Sequence, residues 1–373
     1  MMPWRSNSMV AWLMGYCLQC LLLGAATLPA SLKDHVHPPM GFEVDPQVYR
    51  SPLLREDGSV VDSPQAWQVH RQVLRRQWMD VMGPWPELLN EPVIMAGEIR
   101  RVDGYLEQSV RLQVMAQRWI DGWLLLPEGN GPFASVLVVF YDAETSIGRR
   151  SDRPGRDFGR QLVQAGLATL NIGTPGGDAW KPDLGSATCQ PLSFDAYVAA
   201  NLWLAMAAHP KLDEARIGIT GHSYGGKWAL FGGALWDRFA AVAVSDPGIV
   251  FDETRTNVNY WEPWYLGLDL NQPRPARGVP SPENPRTGAY QKMIQRQMDL
   301  HSLHALIAPR PFLVMGGSED TQERWHALHH ALAVNQMLGY QKRVFLTLRP
   351  DHAPSEVSNG QLRDFFRHFL QPQ

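Results

Sequence analysis

The stretch Arg216-Ile-Gly-Ile-Thr-Gly-His-Ser-Tyr-Gly-Gly-Lys-Trp-Ala-Leu230 constrains this chain more than any other. Ile217 and Ile219 read as a short buried strand and Gly221-His-Ser-Tyr-Gly225 as a sharp turn. A helix is expected from about Tyr224 to Ala234. A G-x-S-x-G turn between a strand and a helix strains the serine backbone and lifts its hydroxyl above the sheet edge. The glycines are needed because a Cβ there would collide with the neighbouring strand or helix. The helix N-terminus just beyond offers free N–H groups and a positive dipole end, both suited to an oxyanion. Ser223 is thus the candidate nucleophile, set against the plainer reading of a glycine-rich turn.

Around this stretch the chain alternates strands and helices. Ala134–Tyr141 is a continuous apolar run, as expected of a strand buried on both faces. A helix over Phe158–Ala165 follows, then a strand over Leu167–Ile172 and a helix over Phe194–Ala208. After the Ser223 turn come strands over Ala240–Val244, Pro311–Met315 and Arg343–Leu348, with helices over Gln322–Leu338 and Ser355–Leu370. Such alternation implies an α/β fold, a mostly parallel sheet with helices on both faces. Ahead of it, residues 97–127 read as an antiparallel hairpin. Residues 251–300, dense in Pro, Gly and aromatics, read as a lid-like insertion after the sixth strand. Ser63-Pro64 starts an N-terminal helix with Ala66, Val69, Val73, Leu74, Trp78 and Val81 at helical spacing. It belongs to an arm over 31–96 that packs on the domain spanning 97–373.

The mostly apolar run from Met9 to Leu28, after Arg5 and before Ala30, reads as an export signal over 1–30. A retained anchor is the alternative. Secretion or periplasmic export is the expectation, with no membrane contact after cleavage. Loss of the signal removes Cys17 and Cys20, leaving Cys189 with no disulfide or cysteine-based metal site. A net charge of −3 gives no reason to expect nucleic acid.

A serine hydroxyl needs a base. His352, in the loop Arg349-Pro-Asp-His352 after the last strand, stands where a chain of order Ser…acid…His carries it. His209, His326, His329 and His330 read as solvated helix residues, and His301 and His304 lie at the wrong end of a strand. The acid expected to orient His352 is Asp320, past strand Phe312–Met315, with Glu319 and Asp246 as alternatives. Each carboxylate could instead cap a helix. The oxyanion hole is expected from the backbone of Tyr224, and of Asp142 or Tyr141. No metal or organic cofactor is needed.

With these residues in hand the chain resembles the α/β-hydrolases over about residues 97–370. Within them it is similar to carbohydrate esterases, dienelactone hydrolases and prolyl-oligopeptidase-like enzymes. Gly221-His-Ser-Tyr-Gly-Gly-Lys227 resembles the G-C-S-R-x-G-K motif of glucuronoyl esterases, and Leu306-Ile-Ala-Pro-Arg-Pro311 resembles those and acetylxylan esterases. His222 and Tyr224 depart from that motif's Cys and Arg. The resemblance implies a serine esterase acting on a small-molecule or polysaccharide ester, with Lys227 reaching sugar hydroxyls; a helix lysine reaching solvent is the equal alternative. Trp180, Trp261 and Trp264 offer flat faces for sugar rings, or else cover a pocket and form a small core of the inserted segment. A peptidase of the prolyl-oligopeptidase type, or an inactive ligand-binding fold, are the alternatives.

Overall fold

Five-residue strands with every position buried, Ala168–Ile172 and Ala241–Ser245 among them, can only sit between two covering layers. The computed structural model describes residues 27–42, 49–257, 260–274 and 276–371. Within them nine strands form one sheet: β1 (Ile94–Val102), β2 (Tyr105–Met115), β3 (Arg118–Pro127), β4 (Phe133–Val139), β5 (Ala168–Ile172), β6 (Leu212–His222), β7 (Ala241–Ser245), β8 (Phe312–Gly316) and β9 (Val344–Leu348). Their order is β1-β2-β3-β5-β4-β6-β7-β8-β9. The first three pair antiparallel, β3 also pairs antiparallel with β5, and every pair from β5 to β9 is parallel. The expected entry hairpin is therefore a three-stranded antiparallel edge. Its outermost strand β1 is mostly exposed, which is why its pattern carries no apolar alternation.

The helices are α1 (Pro64–Met82), α2 (Ala143–Ser146), α3 (Phe158–Gln164), α4 (Pro191–Ala207), α5 (Tyr224–Leu235), α6 (Gly288–Gln295), α7 (His301–Ile307), α8 (Trp325–Met337) and α9 (Glu356–Leu370). Phe158 and Leu162 of α3 and Phe365 and Phe366 of α9 share one core layer with β4, β7, β8 and β9. The opposite layer gathers α4, α5, α7 and α8. The N-terminal arm joins both: Leu32 and Val36 enter the α9 layer, and α1 covers the other.

Helix α1 begins as expected, with Ser63 Oγ accepting from the Ala66 N–H and Pro64 at its first turn. Its buried face is turned from the one read in the sequence. Trp67 and His70 point inward while Val69 is 70% exposed. An indole removes more apolar area from water than an alanine or valine, so Trp67 and Trp78 set the rotation. Trp78 also donates to Ser302 Oγ at 2.9 Å.

The inserted segment between β7 and β8 holds α6 and packs Tyr260, Trp261, Trp264, Tyr265 and Leu266 into the main core. Asn259 lies outside the described residues, as do 1–26, where most of the expected export signal falls. Among the described residues no helix is long and apolar enough to cross a membrane. Cys189 is buried, which pushes its thiol up to about 11.

Three histidines sit in the interface of α7 and α8. His330 is buried rather than solvated, its ring 5.0 Å from that of His301, and His304 packs 5.5 Å from Phe312. Neighbouring helices close over them, an outcome their one-helix spacing does not encode. Burial lowers His301 to about 4 and His304 and His330 to about 3. The native state thus keeps them neutral where the unfolded chain, titrating near 6.5, takes up protons. Stability is full above pH 6.5 and lost as pH falls toward 4, by up to about 1.4 kcal/mol per pH unit for each group. Urea midpoints at pH 7 and pH 5 are expected to differ less for His304→Leu than for the unaltered protein. An equal difference would remove His304 from the acid response.

Candidate active site

Strand β6 delivers its last residues into the turn through two close approaches that only glycine permits. A Cβ at Gly221 would lie 2.2 Å from the Gly225 carbonyl oxygen, and one at Gly225 would lie 2.1 Å from the Val139 carbonyl oxygen. Between them Ser223 takes φ 57° and ψ −119°, a region costing a non-glycine residue on the order of 1–3 kcal/mol. Its N–H donates to the Ser245 carbonyl at 2.9 Å, tying the turn to the neighbouring strand. The side chain is left partly exposed at the C-terminal sheet edge, at the start of α5.

His352 reaches it from the loop after β9. Its Nε2 lies 3.0 Å from Ser223 Oγ and its Nδ1 2.8 Å from Asp246 Oδ2. A carboxylate can only accept, so Nδ1 carries the proton and Nε2 is free to take one from serine. Arg349 holds this loop in place, donating to the carbonyls of His352 at 2.7 Å, Ala353 at 2.9 Å and Met315 at 2.8 Å. Nothing in its spacing marks Arg349 as turned inward, and the sequence reading misses it.

The carboxylate beside His352 is therefore Asp246, the alternative, and not Asp320. Asp246 follows β7 directly and adopts φ 51°, which aims its side chain across to the β8 loop. There Oδ1 accepts from the N–H groups of Gly317 at 2.7 Å and Asp320 at 2.8 Å. Asp320 answers in the opposite direction: its carboxylate accepts from Gly248 at 2.8 Å and Ile249 at 2.7 Å. The two loops clamp each other, and the sequence offers two equally placed acids because both are used. Burial, followed by the neighbouring Asp246 charge, pushes Asp320 up to about 6. Glu319 accepts from Asn257 at 2.8 Å and lies 3.4 Å from Arg255, away from His352.

Tyr141 and Tyr224 also adjoin Ser223, their rings 5.2 Å apart. The Tyr141 hydroxyl is within hydrogen-bonding reach of the Ser223 side chain and the Tyr224 backbone, and burial pushes its phenol up, so it is a protonated donor at neutral pH. The sequence reading points to backbone donors at this loop and misses the side chain. The Asp142 side chain caps α2, accepting from the Thr145 N–H at 2.7 Å, and pairs with Arg153 at 3.2 Å. The Tyr224 ring turns inward and donates to Asp195 Oδ2 at 2.8 Å. Burial pushes that carboxyl up to about 8. His222 packs its ring 4.7 Å from His352 and 6.0 Å from Phe140, with Nδ1 3.1 Å from the Ser245 carbonyl.

Lys227 does not reach solvent. Its Nζ donates to the Pro247 carbonyl and lies 5.3 Å over the Tyr260 ring and 5.2 Å over Tyr265. Burial pulls it down to about 8 against the pull of Asp320, Glu319, Asp246 and Glu262. Of the tryptophans, Trp261 is fully buried and presents no face, which removes it as a stacking surface. Trp180, 43% exposed, meets Trp264 edge-on at 4.7 Å, and Arg277 lies 4.5 Å over Trp180. Arg277 also lies 3.5 Å from Glu262, whose burial pushes it up to about 7. Among the described residues no cluster of His, Cys, Asp and Glu could hold a metal ion.

No protein-family model matches the chain, and no curated protein matches it. Solved structures do. A glucuronoyl esterase from Solibacter usitatus is similar at TM-score 0.67 and 17% identity, over 87% of this chain and 98% of that one. A glucuronoyl esterase from Teredinibacter turnerae is similar at TM-score 0.62 and 18% identity, over 95% and 98% of the two chains. A structure described as a putative acetyl xylan esterase from Bacteroides fragilis gives TM-score 0.53 and 14% identity, over 98% and 90%. At these identities the likeness is one of fold, and the fold is that of the α/β-hydrolases.

Proposed function

We propose that the chain is an exported serine hydrolase that cleaves carboxylic esters on carbohydrates. The observation that carries this reading is the continuous line from Ser223 Oγ through His352 to Asp246, with spacings of 3.0 and 2.8 Å, at a strained turn. Ser223 attacks the acyl carbon while His352 Nε2 takes its proton, and Asp246 holds the imidazolium that forms. The tetrahedral oxyanion is met by the Tyr224 N–H and the Tyr141 hydroxyl. His352 returns the proton to the departing alcohol. Water then enters the acyl-enzyme by the same route, releasing the acid and restoring Ser223. Every proton is moved by His352, so the cycle needs no cofactor.

The carbohydrate part of the reading draws on the neighbours being named as esterases of glucuronoyl or acetyl xylan substrates. It draws also on Trp180, whose part-exposed ring is a flat face of the kind that stacks on sugar rings. Export rests on the apolar run Met9–Leu28 alone. The test is acid release from acetylated glycosides and from methyl esters of uronic acids, with the Ser223→Ala protein as blank. Release from neither ester class would overturn the proposal.

Tyr141→Phe isolates the side-chain donor. Removing one oxyanion donor is expected to lower kcat by about a hundredfold with little change in KM. Initial rates over a range of ester concentration measure the split. An unchanged kcat would leave the oxyanion to backbone groups alone.

A further inference from the structure

The segment Arg149–Arg160 carries five arginines, and four of them have carboxylate partners. Arg149 pairs with Glu107 and Glu144, Arg150 with Asp152, Arg153 with Asp142, and Arg160 with Asp157. Arg156 makes no such pair among the described residues, and its Nε is buried without a hydrogen-bond partner. The residue as a whole stays part-exposed, so its unpaired charge is open to an incoming anion.

Its place in the fold says where that ligand sits. Gly155, just before it, is held by Asn359 Nδ2 donating to its carbonyl at 2.8 Å. A Cβ there would lie 3.0 Å from the carbonyl oxygen of Pro354, two residues past His352. Phe158, two residues on, sets its ring 6.4 Å from His222, which in turn lies 4.7 Å from His352. Arg349, the other arginine beside the triad, has its donors taken by the carbonyls of Met315, His352 and Ala353. Arg156 is thus left to meet an incoming anion, and a guanidinium fork matches a carboxylate in two-point geometry.

We infer that Arg156 is an anion-recognition residue at the mouth of the Ser223 site, and that the preferred substrates are esters of acidic carbohydrates bearing a free carboxylate near the scissile bond. The inference deepens the esterase reading and rests on it for the word substrate. Two acetyl esters differing only at C6, a methyl glucoside and the matching methyl glucuronide, test it. The unaltered enzyme is expected to favour the acidic ester by about tenfold or more in kcat/KM. That preference is expected to vanish in Arg156→Gln and to survive in part in Arg156→Lys. Calorimetric titration with free glucuronate gives a second readout that needs no turnover: binding by the unaltered protein, and at least about tenfold weaker binding by Arg156→Gln. An equal preference, or equal glucuronate binding, in the two proteins overturns the inference. If neither ester is hydrolysed the esterase reading fails, while the titration still decides whether Arg156 binds carboxylates.

Discussion

Ser223→Ala is expected to lower kcat for ester hydrolysis by about 10⁶-fold, the size seen when the nucleophile of such a unit is removed. The residual rate comes from the groups that would still meet the oxyanion, Tyr141 and the Tyr224 N–H, and from substrate binding. The fold is expected to survive. Ser223 is fixed through its backbone, with its N–H on Ser245 and its carbonyl accepting from the Lys227 N–H at 3.1 Å, while its hydroxyl faces the site. Thermal unfolding at an unchanged midpoint would separate lost chemistry from lost structure. A phosphonofluoridate should add one adduct to the unaltered protein and none to the variant. Hydrolysis that persists in the alanine protein would mean another residue carries the reaction.

Asp246→Asn is expected to cost about 10⁴-fold in kcat, because an amide can no longer hold the His352 tautomer and stabilise the imidazolium. Asp320→Asn is expected to behave differently, although both side chains are fully buried and both lie at sheet ends. Its contacts are the Gly248 and Ile249 N–H groups and Arg324 at 3.5 Å, so its loss loosens the clamp between two loops. That should appear as about 1–3 kcal/mol of lost stability, with kcat down by less than about tenfold. Chemical denaturation and kcat for both variants separate the roles. A large kcat loss in Asp320→Asn with Asp246→Asn near normal would restore Asp320 as the orienting acid.

The contrast between these two aspartates marks what was legible in the chain. The Ser223 turn was written locally: apolar residues for the strand, glycines where backbones touch, and a helix directly after. His352 followed from its position between the last strand and last helix, since a parallel sheet brings all its strand ends to one edge. The alternation of elements gave the layers on both faces of the sheet.

Choosing Asp246 over Asp320 could not be done that way. Each follows a parallel strand by a few residues, and the decision lies in a positive φ at Asp246 and in which loop amides each oxygen accepts. The Tyr141 hydroxyl, the inward turn of Arg349 and Arg156, unpaired among the described residues, are of the same kind. Each depends on what a neighbouring loop, distant in sequence, leaves unsatisfied once the chain has packed. Burial of His330 and Trp261 was likewise decided by elements that close over them. Periodicity along one chain segment determines which face is apolar; only tertiary packing determines what meets that face, and which polar atoms are left to do chemistry.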